Sequence, residues 1–223
     1  MLLPKAELLE LNRDRKANRD RIIAVLKAGV DLPEDHEQLI EISHMGASAS
    51  GYTDPTPSKE DRAAFLKIAV AAGDKAIAVN PNSAASHYWY GVGRAFELNL
   101  QGLLATIFGV GKVKAAAQRA VELNEGENSG GPLRLRGMLA FKLPFFLGGN
   151  KKSGFADVAR AMRLFPNFRE NYVFYAEMQE KMEGPEAAIA TLQKGLALPG
   201  DTEAEQESRW QKVMEAQLRR LKP

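Results

Sequence analysis

Four short stretches recur in phase along this chain, and they limit what it can fold into. AIAVNP begins at Ala76, AVELNE at Ala120, AMRLFP at Ala161 and GLALPG at Gly195, at intervals of 44, 41 and 34 residues. Each reads as the end of one helix, followed by a turn and a new amphipathic helix. A small residue recurs well inside three of those following helices: Gly91, Gly137 and Ala176. Aromatic residues flank it twice, as Trp89-Tyr90-Gly91 and as Tyr172 with Tyr175-Ala176. One helix pair cannot bury its own apolar face, so pairs of this kind must stack on one another.

The rest of the chain agrees with an array of helices. Apolar residues at three- and four-residue offsets (Leu8, Leu9, Ile22, Ile23, Val25, Leu26) predict a helix over 6–28, ended by Gly29. A second helix is expected over 34–49, and SGYTDPTP at 50–57 reads as a loop. Ser58 with Asp61, and Thr202 with Glu205, read as capping boxes. Asn80-Pro81 and Ser83 bracket the start of a helix over 84–99. That helix carries two apolar stripes: Tyr88, Gly91, Val92 and Ala95 on one side, and Trp89, Gly93 and Phe96 on the other. Apolar around most of its girth, it must lie between neighbours, and close approach by one of them would offset the helix-weakening glycines. Residues 100–113, LQGLLATIFGVGKV, are the most apolar segment, interrupted by Gly102, Gly109 and Gly111. Further helices are expected over 112–123, from Pro132 after a Gly130-Gly131 turn, and over 151–164, 168–182, 186–198 and up to residue 221. Asn167 with Glu170 is the expected start of the 168–182 helix, and Gly184-Pro185 places proline at a first helical position. No run alternates as a strand would. The expectation is an all-α, single-domain chain over 1–223, with about ten antiparallel helices. Its divisions are an N-terminal helix pair and loop at 1–57, the repeats at 58–200, and a capping helix at 201–223.

Composition removes whole classes of function. There is no cysteine, which excludes disulfides, thiolate catalysis and zinc–cysteine sites. Thirty Lys and Arg balance 28 Asp and Glu, which leaves no field that argues for nucleic acid. The basic cluster Arg13, Arg15, Lys16, Arg19 and Arg21 is interleaved with Asp14 and Asp20 and reads as a solvated helix face. No window reaches the roughly 18 apolar residues of a membrane span. The N-terminus MLLPKAELLELNRDRK lacks the basic start, apolar run and cleavage site of a signal peptide. The expected location is therefore the cytoplasm for the chain as given, or the periplasm for a trimmed mature form. His36 and His44 are eight residues apart, two turns rather than one, and do not make a metal pair. No G-x-S-x-G stretch appears. Gly109-Val-Gly111-Lys112 lacks both the full phosphate-loop pattern and a preceding strand. The reading expects no catalytic site, no metal and no cofactor.

The repeating unit resembles the tetratricopeptide repeat, whose standard unit equals the last interval; the two longer intervals imply insertions at 100–113 and 143–150. The expected fold is a tetratricopeptide-like superhelix. A further resemblance rests on His87-Tyr88-Trp89-Tyr90-Gly91-Val92, on Gly130-Gly131-Pro132-Leu133-Arg134-Leu135-Arg136-Gly137, on Leu143-Pro144, and on Gly148-Gly149-Asn150-Lys151-Lys152. In these the chain is similar to the T-component of TRAP transporters over about 61–198. Arg136 stands where that family tends to have Leu, and Asn150 where it tends to have Asp. The family's secretion and lipid-anchor signal has no counterpart here. The resemblance implies a non-enzymatic scaffold that associates with itself and with a substrate-binding protein, and that offers a pocket to apolar ligands.

Candidate residues follow from these readings. An apolar pocket is expected to be bordered by Trp89, Phe96, Leu104, Phe108 and Phe141. Gly91, Gly130, Gly131, Pro132, Arg134, Gly137, Pro144, Gly148 and Gly149 are expected to be architectural. Arg134, in the first turn of its helix, is expected to hold a neighbouring carbonyl or carboxylate with its forked donors. Phe145, Phe146 and Leu147 are expected to be covered by the next repeat, with a subunit or partner contact as the alternative. A different class of function is a cytoplasmic adaptor gripping a peptide on a concave face. A solute-binding protein or TRAP permease encoded nearby would favour the first, and the presence or absence of a signal and lipid-attachment cysteine at the true start separates the two.

Overall fold

Side chains that can satisfy the first free backbone N–H groups of a helix stand where the sequence places them. In the computed structural model the Asp61 N–H donates to Ser58 Oγ at 3.1 Å, the Ser86 N–H to Ser83 Oγ at 3.2 Å and the Ser153 N–H to Asn150 Oδ1 at 3.0 Å. The cap at Asn150 was not among those expected from the sequence. The structure describes residues 3–7, 11, 18–51, 57–199 and 204–222. The expectations placed on Leu8, Leu9, Arg13, Arg15, Lys16, the loop at 52–56 and the cap at Thr202 lie outside them. Among the described residues there is no strand, and the fold is an all-α helical repeat.

The chain forms two compact units, Met1–Asn124 and Glu125–Pro223. The first holds α1 (Arg19–Ala28), α2 (His36–Gly51), α3 (Lys59–Val79), α4 (Ala84–Gln101) and α5 (Leu103–Asn124). Here α2 packs on α3, α3 on α4 and α4 on α5, while α1 lies against α2 and α3. Leu26, Leu39, Ile42, Met45 and Phe65 are fully buried at the centre of this unit. The all-round apolar girth of α4 is explained directly, because Tyr88, Trp89, Tyr90, Gly91, Val92 and Gly93 are all buried. Gly93 faces Ala69 of α3, whose methyl would lie 3.3 Å from an added Cβ.

The three glycines of 100–113 do not break the chain three times. Only Gly102, at φ 99°, turns it, and α5 then runs without interruption. Gly109 stays helical because the Leu98 side chain of α4 occupies the place of its missing Cβ. Gly111 is also helical but exposed, with nothing within 4 Å of an added Cβ. Gly111→Ala is therefore expected to stabilise the first unit by about 1 kcal/mol, read as a rise in the thermal midpoint.

The second unit holds α6 (Glu127–Lys142), a 3-10 turn η1 (Phe145–Leu147), α7 (Lys151–Leu164), α8 (Arg169–Met182), α9 (Pro185–Leu196) and α10 (Ala204–Leu221). Successive helices pack as neighbours, α6 on α7, α7 on α8, α8 on α9, and α10 closes against α8 and α9. Trp210 of α10 lies 6.0 Å from Phe174 of α8, and Arg220 forks onto Glu180 at 2.7 and 2.5 Å. The recurring small residues lie at the helix contacts: Ala176 is buried, and Gly137 faces Gly154 of α7.

Candidate functional site

Arg134 illustrates how this fold handles a buried charge. Asn128, Ser129 and Gly130 all have left-handed backbone, at φ 45°, 51° and 88°. Two of the three are not glycine, so the turn is strained and something must hold it. Their carbonyls point inward, where Arg134 Nη2 donates to Asn128 O at 3.1 Å and Nη1 to Ser129 O at 2.7 Å. The same guanidinium reaches α8, donating to Glu170 Oε2 at 3.0 Å and to Asn171 Oδ1 at 2.7 Å. The Phe168 ring lies 4.9 Å from Cζ of Arg134. Asn171 then donates its amide N–H groups to the carbonyls of Ser129, Ala161 and Phe165 at 3.1–3.3 Å. Gly130 combines positive φ with a tight fit, since an added Cβ would stand 2.9 Å from that of Ala161. Arg134 is expected to hold a neighbouring carbonyl or carboxylate, and it holds both. Glu170 is engaged here rather than capping α8; Phe168 occupies that cap without a side-chain hydrogen bond. Gly131, Pro132 and Leu133 are buried beside it.

The neighbouring arginines act on the surface of the same unit. Arg136, in place of the leucine expected there, forks onto Asp157 at 2.8 and 2.7 Å. Arg160 forks onto Glu125 at 2.7 and 2.6 Å. The hydrogen bonds from Arg160 hold the Glu125 carboxyl below its ordinary range.

Of the five residues expected to border an apolar pocket, four lie in the first unit and Phe141 in the second. Trp89 is a core residue of the first unit, stacked on His44 with ring centroids 3.7 Å apart and planes 18° apart. Phe96 is half-buried, with its ring where a Cβ on Gly51 would stand. Leu104 and Phe108 face solvent, 72% and 87% exposed. Phe141 belongs to the second unit, buried with Val158 and Met178. What α5 offers is an outward apolar stripe over its first two turns. Leu104 and Phe108 stand one turn apart on one side, and Leu103 beside them is 71% exposed. The opposite side of the helix is filled by Val110, Val113, Ala116, Ala117 and Ala120. Leu103 was missed in the sequence because a Leu-Leu pair after a glycine reads equally well as core. The covering expected over Phe145 and Phe146 is absent: they are 91% and 77% exposed at η1, while Leu147 is half-buried. Pro144, Gly148 and Gly149 form that turn, where Gly149 lies so close to Leu143 O that no side chain fits.

The partners described for His36 and His87 are a serine hydroxyl and a backbone carbonyl. His36 Nε2 is 2.8 Å from Ser86 Oγ, but Ser86 is fully buried, so its hydroxyl anchors α2 to α4 rather than meeting a substrate. His87 Nε2 lies 2.9 Å from Pro81 O at the start of its own helix. Gly109-Val-Gly111-Lys112 is an internal turn of α5, with its N–H groups in the helix ladder rather than directed at a phosphate. Among the described residues, no three His, Asp or Glu side chains stand where they could hold a metal ion, and no helix is long and apolar enough to cross a membrane. No family model matches the chain, and no curated protein matches it.

Proposed function

We propose that this chain is a non-catalytic helical-repeat scaffold that docks a partner protein, the role implied by its resemblance to the TRAP transporter T-component. The observation that supports this reading is the apolar pair of Leu104 and Phe108 on the outer side of α5. A helix whose inner side is already packed gains nothing for its own fold from two large apolar residues on its outer side. Exposed Lys112 follows along the same helix, while Arg119 is engaged by Asn82 at 2.9 Å and Glu122 at 3.6 Å. The partner that fits is a protein with an apolar patch edged by carboxylates. A substrate-binding protein, the partner class that the resemblance implies, is the partner proposed. The apolar ligand implied by the resemblance stands on the resemblance alone.

Calorimetric titration of the full chain with the substrate-binding protein of a TRAP transporter tests the reading. Leu104→Glu and Phe108→Glu are each expected to weaken binding by about tenfold or more, as loss of an apolar anchor does at an interface. Unchanged affinity in both variants would remove the stripe from the interface, and no binding by the unmodified chain would sink the reading. Extraction of the purified chain and mass spectrometry of the extract tests the ligand: a stoichiometric lipid supports it, and an empty extract counts against it.

A further inference from the structure

The Phe145–Phe146 turn has features that folding alone does not require. Both rings project into solvent, and the turn that carries them is tied together by its own backbone. Leu147 and Gly149 donate to Pro144 O at 3.0 Å, Gly148 to Phe145 O at 2.8 Å, and Asn150 to Ala140 O at 2.7 Å. The ordering cost of presenting the two rings has thus been met on folding. Immediately after the turn, α7 begins with Lys151 and Lys152, both exposed, and its first turn holds no acid. Cations at a helix N-terminus oppose the macrodipole, so this placement lowers the stability of α7. From 128 to 156 the chain has five basic residues and no Asp or Glu. Of these, Arg134 and Arg136 are engaged with α8 and α7, and Lys142 pairs with Glu177 of α8 at 3.1 Å. The charge next to the two rings is therefore that of Lys151 and Lys152.

We propose that this turn is a membrane-surface contact, with Phe145 and Phe146 entering the interfacial layer of an anionic bilayer while Lys151 and Lys152 meet its headgroups. The shape favours a bilayer over a protein. A stable protein interface takes about 800 Å² from each partner and excludes lysine from its centre. Two exposed rings on one short turn supply far less, whereas a bilayer accepts a small apolar wedge and rewards adjacent cations. The inference concerns the second unit and does not depend on the partner proposed for α5.

Co-sedimentation of the full chain with vesicles tests it. The chain is expected to bind vesicles of phosphatidylcholine with phosphatidylglycerol, to bind phosphatidylcholine alone far more weakly, and to release with added salt. Lys151→Gln with Lys152→Gln is expected to lower the partition by about fivefold per lysine. Phe145→Ser with Phe146→Ser is expected to lower it at least tenfold, on the order of the loss of one buried large apolar side chain. Since the rings are exposed, the serine variant should keep its thermal midpoint. Phe146→Trp is expected to give a blue-shifted emission on anionic vesicles, with Trp89 and Trp210 as a buried, unchanging background. Failure to bind anionic vesicles at low salt would overturn the proposal. So would binding that the serine variant leaves unchanged, or a serine variant that alters only self-association in sedimentation.

Discussion

Arg134→Ala is expected to destabilise the second unit by about 3–5 kcal/mol, the range for breaking a buried ion pair by removing one partner. The loss has three sources in the geometry. Glu170 is left as a buried carboxylate without its 3.0 Å partner. The Asn128 carbonyl loses the donor described for it, and Ser129 keeps only the longer bond from Asn171. The left-handed turn at 128–130 then has less to offset its strain. Urea unfolding of the full chain, followed by circular dichroism, should show the drop in one transition. At roughly 4–8 °C per kcal/mol for a unit of this size, the thermal midpoint should fall by well over 10 °C. Two comparisons make the cause specific. Arg136→Ala breaks a pair in which the arginine is partly exposed, and should cost about 1 kcal/mol or less. Arg134→Met with Glu170→Leu removes both charges together and should recover a good part of the loss. A double variant no better than Arg134→Ala would contradict the assignment of the loss to an unpaired charge.

Gly154→Ala is expected to cost the second unit about 2 kcal/mol, although the same substitution at Gly111 is expected to help the first. A methyl group on Gly154 would stand 2.8 Å from the Phe141 backbone nitrogen and closer still to Gly137 O. Both neighbours are backbone atoms, which cannot rotate away, so α6 and α7 would have to move apart along their contact. Overpacking of this kind costs about 1–3 kcal/mol and sometimes more, against a gain of about 1 kcal/mol in helix propensity. Differential scanning calorimetry of Gly154→Ala and Gly111→Ala should give shifts of opposite sign. A stabilised Gly154→Ala would mean that α6 and α7 do not approach as described.

Several of these features could be read from residues alone. The caps at Ser58 and Ser83 and the proline opening α9 are set by neighbours within three or four positions. Gly137 and Ala176 could be placed at packing positions because their phase against the helix ends repeats. Arg134 could be assigned a gripping role because its helix start supplies carbonyls nearby, but not its grip on Glu170 and Asn171, which lie 36 and 37 residues away. Glu170 shows the limit most directly. Its spacing from Asn167 marks it as a capping residue, yet a buried guanidinium offers a carboxylate a stronger partner than a backbone N–H does.

The surroundings of the five pocket candidates were not legible for a related reason. Trp89, Phe96, Leu104, Phe108 and Phe141 are all apolar and lie in helices of the right period, and hydrophobic periodicity says only that a residue has a preferred side. It does not say whether another helix arrives at that side. At Trp89 one does, and the ring stacks on His44; at Leu104 and Phe108 none does. The helical-repeat class, the helix ends and the small packing residues were determined by the sequence, because each depends on short-range spacing and backbone preference. The division after Asn124, the partners of Arg134 and the exposure of the α5 stripe and the Phe145–Phe146 turn were decided only by the tertiary structure. Each of those depends on which surfaces distant parts of the chain cover, and no local pattern encodes that.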